Sequence, residues 1–190
     1  MFFKNIFDYI LALILLIILV GLIVCLVILS TIDTNEFGIF SQKRVGKDGK
    51  IFYIHKIRTM QGVQTNTVTT HGHQITRLGK FLRDYKLDEL PQLINILKGE
   101  MSFVGPRPDV EGYADVLKGN DRKVLNVKPG ITGPAQLKYK NEEELLSKVE
   151  NSIIYNDTVI WPDKVKINLD YVENWSFKKD LKYMILTIIK

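Results

Sequence analysis

Lys86-Leu87-Asp88-Glu89-Leu90-Pro91-Gln92-Leu93-Ile94-Asn95-Ile96-Leu97-Lys98-Gly99-Glu100-Met101-Ser102-Phe103-Val104-Gly105-Pro106-Arg107-Pro108 is the stretch around which the chain is organised. Leu90, Leu93, Ile94 and Leu97 fall at i, i+3, i+4, i+7, which predicts a short amphipathic helix with one apolar face. Asp88 suits its N-cap, and Pro91 falls in the first turn, where a missing N–H costs nothing. Gly99 is a natural stop. Two adjacent carboxylates thus open a helix, and an arginine bracketed by prolines follows it.

Upstream, no charged residue occurs from Tyr9 to Ile32. As a helix this run reaches roughly 36 Å, more than a ~30 Å hydrocarbon core. It is too long for the apolar region of a signal peptide, and no small-residue cleavage site follows it. The expected division is therefore a membrane-embedded helix over 1–34 and a separate domain over 35–190. Gly21 is the only helix-weakening residue near the middle, and positive charge flanks both ends. Residue physics alone leaves spanning and re-entry both open.

The whole chain has 190 residues, a formal charge of +5 and one cysteine, Cys25. A single cysteine excludes a disulfide framework and a cysteine-rich metal site. Between Lys43 and Lys86 there are ten Lys or Arg against two acids, Asp48 and Asp84. Beside a membrane anchor, that basic stretch suits phosphate groups or anionic lipid. His71-Gly72-His73, in a polar stretch from Gln61 to Gln74, is weak evidence for a metal site. Gly46-Lys47-Asp48-Gly49-Lys50 lacks the spacing of a phosphate-binding P-loop. No helix-turn-helix or base-stacking pattern points to nucleic acid.

Gly38 to Arg58 reads as a hairpin turning at Asp48-Gly49. A helix is expected over 75–85, with Ile75, Leu78, Phe81, Leu82 and Tyr85 on its apolar face. A shorter one is expected over Asp109–Leu117. Lys128-Pro129-Gly130-Ile131-Thr132-Gly133-Pro134 reads as a rigid turn. Asn141 is placed as the cap of a helix with Leu145, Leu146, Val149 and Ile153 buried. Ser176 is placed as the cap of the last helix, which carries Phe177, Leu181, Met184, Ile185 and Ile188 on one face. That helix suits either a membrane interface or the domain core.

Helix position favours ionised carboxylates at Asp88 and Glu89 and makes room for a phosphate. An ionised Asp can attack phosphorus, and two adjacent carboxylates can hold Mg²⁺. An isolated Asp-Glu pair is more often a plain helix start, so the surrounding residues decide. Leu87 to Leu93, Leu97 to Ser102 and Val104 to Pro108 closely resemble the bacterial sugar transferases, the monotopic polyprenyl-phosphate phosphoglycosyl transferases. Gln42-Lys43-Arg44-Val45-Gly46, Lys56-Ile57-Arg58-Thr59-Met60, Lys128 to Gly133 and Tyr171-Val172-Glu173-Asn174 add to the likeness, in order, along essentially the whole chain.

The resemblance implies an α+β fold. It joins a re-entrant membrane helix, a small hairpin and several helices, some amphipathic and interfacial, in a minimal catalytic core. It implies transfer of a sugar 1-phosphate from a UDP-sugar to a polyprenyl (undecaprenyl) phosphate, with release of UMP. The expected setting is the cytoplasmic face of a bacterial inner membrane, with membrane lipid as a further partner and nucleic acid as none. Carried onto this chain, Asp88 is the nucleophile and Glu89 its assistant, the two holding Mg²⁺. Lys56, Arg58, Arg83 and Arg107, the last between Pro106 and Pro108, are the expected substrate contacts. Two positions depart from the family pattern. Val20-Gly21 stands where relatives commonly have a helix-breaking Ser-Pro, and Asn168 stands where many have an acid. The alternative is a non-catalytic, membrane-anchored scaffold of the same fold, which would not need an intact acidic pair.

Overall fold

A computed structural model describes residues 2–62 and 74–189. Most of the polar Gln61–Gln74 stretch, with His71 and His73, lies outside the described residues, as does Lys190. The chain divides into two units. One comprises Met1–Arg44 and Ile51–Met101, the other Val45–Lys50 and Ser102–Lys190. Helices and short two-stranded sheets mix in both, as an α+β chain should.

The first unit is built on α1, Phe2–Thr34, a single 33-residue helix. Its apolar run is long enough to cross a membrane. The helix runs through Gly21 without interruption, so Val20-Gly21 does not supply a break. Its buried residues are Lys4, Asp8 and Ala12 near one end and Leu26, Ser30 and Thr34 near the other. Between them most of the apolar side chains face outward. Asn35, in the left-handed region at φ 56°, ends the helix. The chain turns back tightly there: a side chain on Gly38 would meet the Val27 carbonyl oxygen at 2.1 Å.

Strands β1, Ile39–Val45, and β2, Ile51–Ile57, pair as the hairpin reading predicts. Asp48 and Gly49 both take positive φ at its turn, 59° and 78°. Strand β3, Met60–Gln61, pairs antiparallel with β4, Gln74–Ile75. Ile75 is therefore strand, not helix. Helix α2, Arg77–Asp84, starts two residues later, capped by the Thr76 side chain, which accepts from the Gly79 N–H at 2.8 Å. Leu82 is its buried apolar residue, while Phe81 and Tyr85 pair with each other in the open. Leu26, Ile57 and Leu82 form the apolar centre of this unit, with Leu78, Leu87 and Leu90 packed against it.

Helix α3, Gln92–Leu97, is shorter than its pattern predicts. Asp88 is not its N-cap. It lies inside a separate 3₁₀ turn, Leu87–Glu89, entered through Lys86 in the left-handed region. The buried face is also different: Gln92, Leu93, Asn95 and Ile96 are inside, and Ile94 faces out. Gly99 does end the segment, at φ 78°.

In the second unit, β5, Ser102–Val104, pairs in parallel with β6, Gly130–Thr132, aligning Ser102 with Gly130 and Val104 with Thr132. Val45, Ala114, Val124 and Leu125 make its core, joined by Trp161 and Leu169. No helix forms over 109–117. That segment is a run of turns in which Gly112, at φ 96°, donates its N–H to Asp115 at 2.7 Å. Arg122 donates to the Asp115 and Leu117 carbonyls, two groups that a helix would otherwise engage.

Helix α4 is Pro134–Lys138, α5 Glu142–Ser147, α6 Ser152–Tyr155, α7 Trp161–Glu173 and α8 Phe177–Ile188. Asn141 precedes α5 but makes no side-chain cap, and Leu145 and Ile153 are exposed rather than buried. Glu142 is held instead by Lys164 of α7. Ser176 does cap α8. That helix docks through its polar side. Asp180, buried, accepts from the Tyr171 hydroxyl at 2.8 Å and the Trp175 indole at 2.9 Å. Thr187 meets Thr132 at 2.6 Å. Phe177, Leu181, Ile185 and Ile188 are left exposed. The helix packs on the domain, against α4, β5 and β6, with its apolar residues mostly outward.

Candidate active site

Asp88 reaches its place through backbone geometry. Left-handed Lys86 turns the chain sharply, the 3₁₀ turn presents two consecutive carboxylates, and α3 carries the chain away. Asp88 is only 9% exposed. Because α3 begins four residues later, the helix-terminus argument for its ionisation does not apply at Asp88 itself.

Glu89 is paired. Its Oε1 accepts from the Lys56 Nζ of β2 at 2.9 Å, with both side chains largely buried. The pair is set by an amide that the apolar pattern does not reveal. Fully buried Asn95 donates to the Tyr53 carbonyl at 2.7 Å and accepts from the His55 N–H at 3.3 Å, tying α3 to β2. Its Nδ2 also reaches Glu100 at 2.7 Å. The signal for it was available: Gln92 and Asn95 are amides at i, i+3 inside an otherwise apolar helix. The neighbouring His55 is held below its ordinary imidazole range, first by burial and then by the charge of Lys98.

The other basic residues of this unit divide. Arg83 donates through Nε to the Thr59 hydroxyl at 2.9 Å and reaches the Met60 sulfur at 3.1 Å. Arg58 faces the segment after α1. It pairs with Glu36 at 2.8 Å, donates to the Phe37 carbonyl at 2.9 Å and lies over the Phe40 ring. The structure thus brings Lys56 to the acidic pair, while these contacts of Arg58 hold the α1–β1 connection.

In the second unit Arg107 is exposed between two buried prolines, Pro106 and Pro108. A proline on each side restricts the backbone, so the guanidinium projects from a fixed base. The Lys128–Gly133 loop holds that base. Ser102 donates to the Pro129 carbonyl at 2.9 Å, Gly105 to Thr132 at 2.9 Å, and Gly130 to Pro106 at 2.8 Å. The approach leaves no room at Gly105, where a Cβ would meet the Lys128 carbonyl oxygen at 2.4 Å. Pro106 and Arg107 line a shallow cleft with Asp109, Trp161, Val165 and Asn168.

Among the described residues no cluster of three or more metal-ligating side chains occurs. Mg²⁺ does not need one. It is commonly held by one or two carboxylates plus substrate phosphates and water, a donor set that Asp88 and Glu89 fit.

A family model described as "Bacterial sugar transferase" matches residues 1–190. The chain is 35% identical to an Escherichia coli protein named UDP-glucose:undecaprenyl-phosphate glucose-1-phosphate transferase, over 98% of this chain and 39% of that protein. A Klebsiella pneumoniae protein of the same name is 37% identical over the whole chain and 40% of its own length. The chain therefore spans about two fifths of those relatives. A Bacillus subtilis protein named uncharacterized sugar transferase EpsL is 33% identical over the whole chain and 87% of its own length.

Proposed function

The chain belongs to the bacterial sugar transferase family, and from that premise we propose that it moves a sugar 1-phosphate from a UDP-sugar to a polyprenyl phosphate, by way of Asp88. The observation that carries this reading is the buried Asp88 beside Glu89, with Glu89 held by Lys56. Relatives are named for UDP-glucose and undecaprenyl phosphate, and for UDP-galactose and a lipid carrier.

In the first half-reaction an Asp88 carboxylate oxygen attacks the sugar-linked phosphorus. The bond from that phosphorus to the bridging oxygen breaks, and UMP leaves. An acyl phosphate carrying the sugar remains on Asp88. In the second, an oxygen of polyprenyl phosphate attacks the same phosphorus, and the Asp88 carboxylate is released. The product is a polyprenyl diphosphate sugar. Lys56 holds Glu89 in place beside the nucleophile. Arg83 and Arg107 offset phosphate charge, Arg107 from its proline-fixed base. Bound Mg²⁺ supplies further charge neutralisation, with Asp88 and Glu89 as the side chains that would hold it. The apolar α1 and the outward face of α8 suit a bilayer, where the lipid acceptor resides. The cytoplasmic face is where a nucleotide sugar arrives.

The test is UMP release by purified protein supplied with Mg²⁺, undecaprenyl phosphate and a panel of UDP-sugars. Release that vanishes in Asp88→Asn supports the reading. Retained release in that variant refutes it, and no release with any sugar favours the scaffold.

A further inference from the structure

One partly buried carboxylate of the first unit, Glu100, has no part in the transfer steps. Gly99, at φ 78°, turns the chain back at the end of α3. The Glu100 N–H then donates to the Asn95 carbonyl at 3.0 Å, and its Oε2 accepts from the Asn95 Nδ2 at 2.7 Å. Asn95 is fully buried, and its amide is shared between Glu100 and β2. Nδ2 also donates to the Tyr53 carbonyl at 2.7 Å, and Oδ1 accepts from the His55 N–H at 3.3 Å. The carbonyl of one strand residue and the N–H two residues on point to the same edge. Asn95 takes both, as a residue of a neighbouring strand would.

We propose that Glu100 is a positioning residue for the transfer. By accepting from Asn95 it locks the amide that holds β2, and so sets Lys56 against Glu89 beside Asp88. The proposal rests on the Asp88 reading above. Its argument is one of donors and acceptors. A carboxylate and a backbone carbonyl only accept, and a backbone N–H only donates. Both acceptors, Glu100 and the Tyr53 carbonyl, stand on the Nδ2 side of the amide, and the His55 N–H stands on the Oδ1 side. A flipped amide would set Oδ1 against two acceptors and Nδ2 against a donor, a costly mismatch in a buried site. Glu100 is the side chain that enforces the orientation. Lys56 follows His55 directly on β2, and its Nζ meets the Glu89 Oε1 at 2.9 Å. A small shift of β2 therefore moves the ammonium that holds Glu89. Misplacement of about 1 Å beside a reacting group is enough to slow a reaction.

A double-mutant cycle on the full chain in detergent tests this, with UMP release and thermal unfolding as its two readouts. Glu100→Ala should lower kcat about tenfold, the worth of one buried hydrogen bond, and leave KM for the UDP-sugar within about twofold. Glu100→Gln, whose Oε1 can still accept from Asn95, should recover most of the lost turnover and guards against a misfolded alanine variant. In a Lys56→Met background, where the linkage already ends in nothing, Glu100→Ala should lower kcat by less than about twofold more. The Tm losses of Glu100→Ala and Lys56→Met should likewise sum to more than the loss in the double variant. A full tenfold loss in the Lys56→Met background would overturn the proposal. So would a loss confined to KM, or a Glu100→Gln variant as slow as Glu100→Ala. Coupled Tm losses without Asp88-dependent UMP release would sink the transferase reading and leave the link from Glu100 to Lys56 standing. Asp88-dependent release with additive losses in both readouts would do the reverse.

Discussion

Lys56 on β2 and Glu89 on the 3₁₀ turn are 33 residues apart and joined at 2.9 Å, with side-chain exposures of 19% and 13%. This pair fixes the carboxylate next to Asp88. Breaking a largely buried ion pair strands its partner's charge. Lys56→Met should therefore lower stability by about 1–3 kcal/mol and reduce turnover strongly. Lys56→Met with Glu89→Gln should be less unstable than the two single losses summed. A double-mutant cycle in thermal unfolding checks this. Strict additivity would mean that the pair is a surface contact.

Gly105 has no room for a side chain, because a Cβ would meet the Lys128 carbonyl oxygen at 2.4 Å. Gly105→Ala is expected to push the Lys128–Gly133 loop off the base of Arg107. The signature is a raised KM for the nucleotide sugar together with a lowered melting temperature. Normal values of both would show that the clamp does not position Arg107.

Helix α8 reverses the usual rule for core and surface. Asp180 is buried and bonded to Tyr171 and Trp175, while Ile185 is 55% exposed. Asp180→Ala should cost about 2–4 kcal/mol. Ile185→Ser should change stability in detergent by no more than ~0.5 kcal/mol. Equal losses from the two would place Ile185 in a core contact.

A pH dependence arises where α4 meets α7. Asp163 accepts from Lys138 and from the Tyr139 hydroxyl, both at 2.6 Å. Those hydrogen bonds, Lys138 first, hold its carboxyl below the ordinary range of 3.8. Its stabilisation is present above the unfolded value and is lost as pH falls through the depressed folded one. Tyr139 is pushed up to about 12, by burial first and then by Asp163. Its contribution is complete below the unfolded value of ~10 and is lost as pH rises through the folded one. Both groups lie near solvent, so the effects are small. Melting temperature against pH should show shallow losses at the two extremes, absent in Asp163→Asn with Tyr139→Phe. Unchanged slopes in that double variant would assign them to other groups.

Local chemistry was legible in the residues. Asp48-Gly49 determines the hairpin turn, Ser176 the last cap, and the uncharged run the long first helix. What needed three dimensions was less so. The orientation of α8 depends on Asp180 finding Tyr171 and Trp175, and a periodicity count favours the opposite face. Asp88 was misplaced as a helix cap because left-handed Lys86 inserts a separate turn before α3. Residues 109–117 read as a short helix, but the segment forms turns in which Arg122 holds the Asp115 and Leu117 carbonyls. Of the site, the acidic pair and the Pro-Arg-Pro segment were legible as motifs. The Lys56–Glu89 contact and the Asn95 staple were not, since each joins segments more than thirty residues apart.

The central claim is that Asp88 carries the sugar phosphate. Intact mass of the protein, incubated with Mg²⁺ and its UDP-sugar but without polyprenyl phosphate, tests it most directly. The account predicts a mass gain of one phospho-sugar, at most one equivalent of UMP per chain, and the loss of both in Asp88→Asn. No adduct, with UMP released only when the lipid acceptor is present, would contradict it.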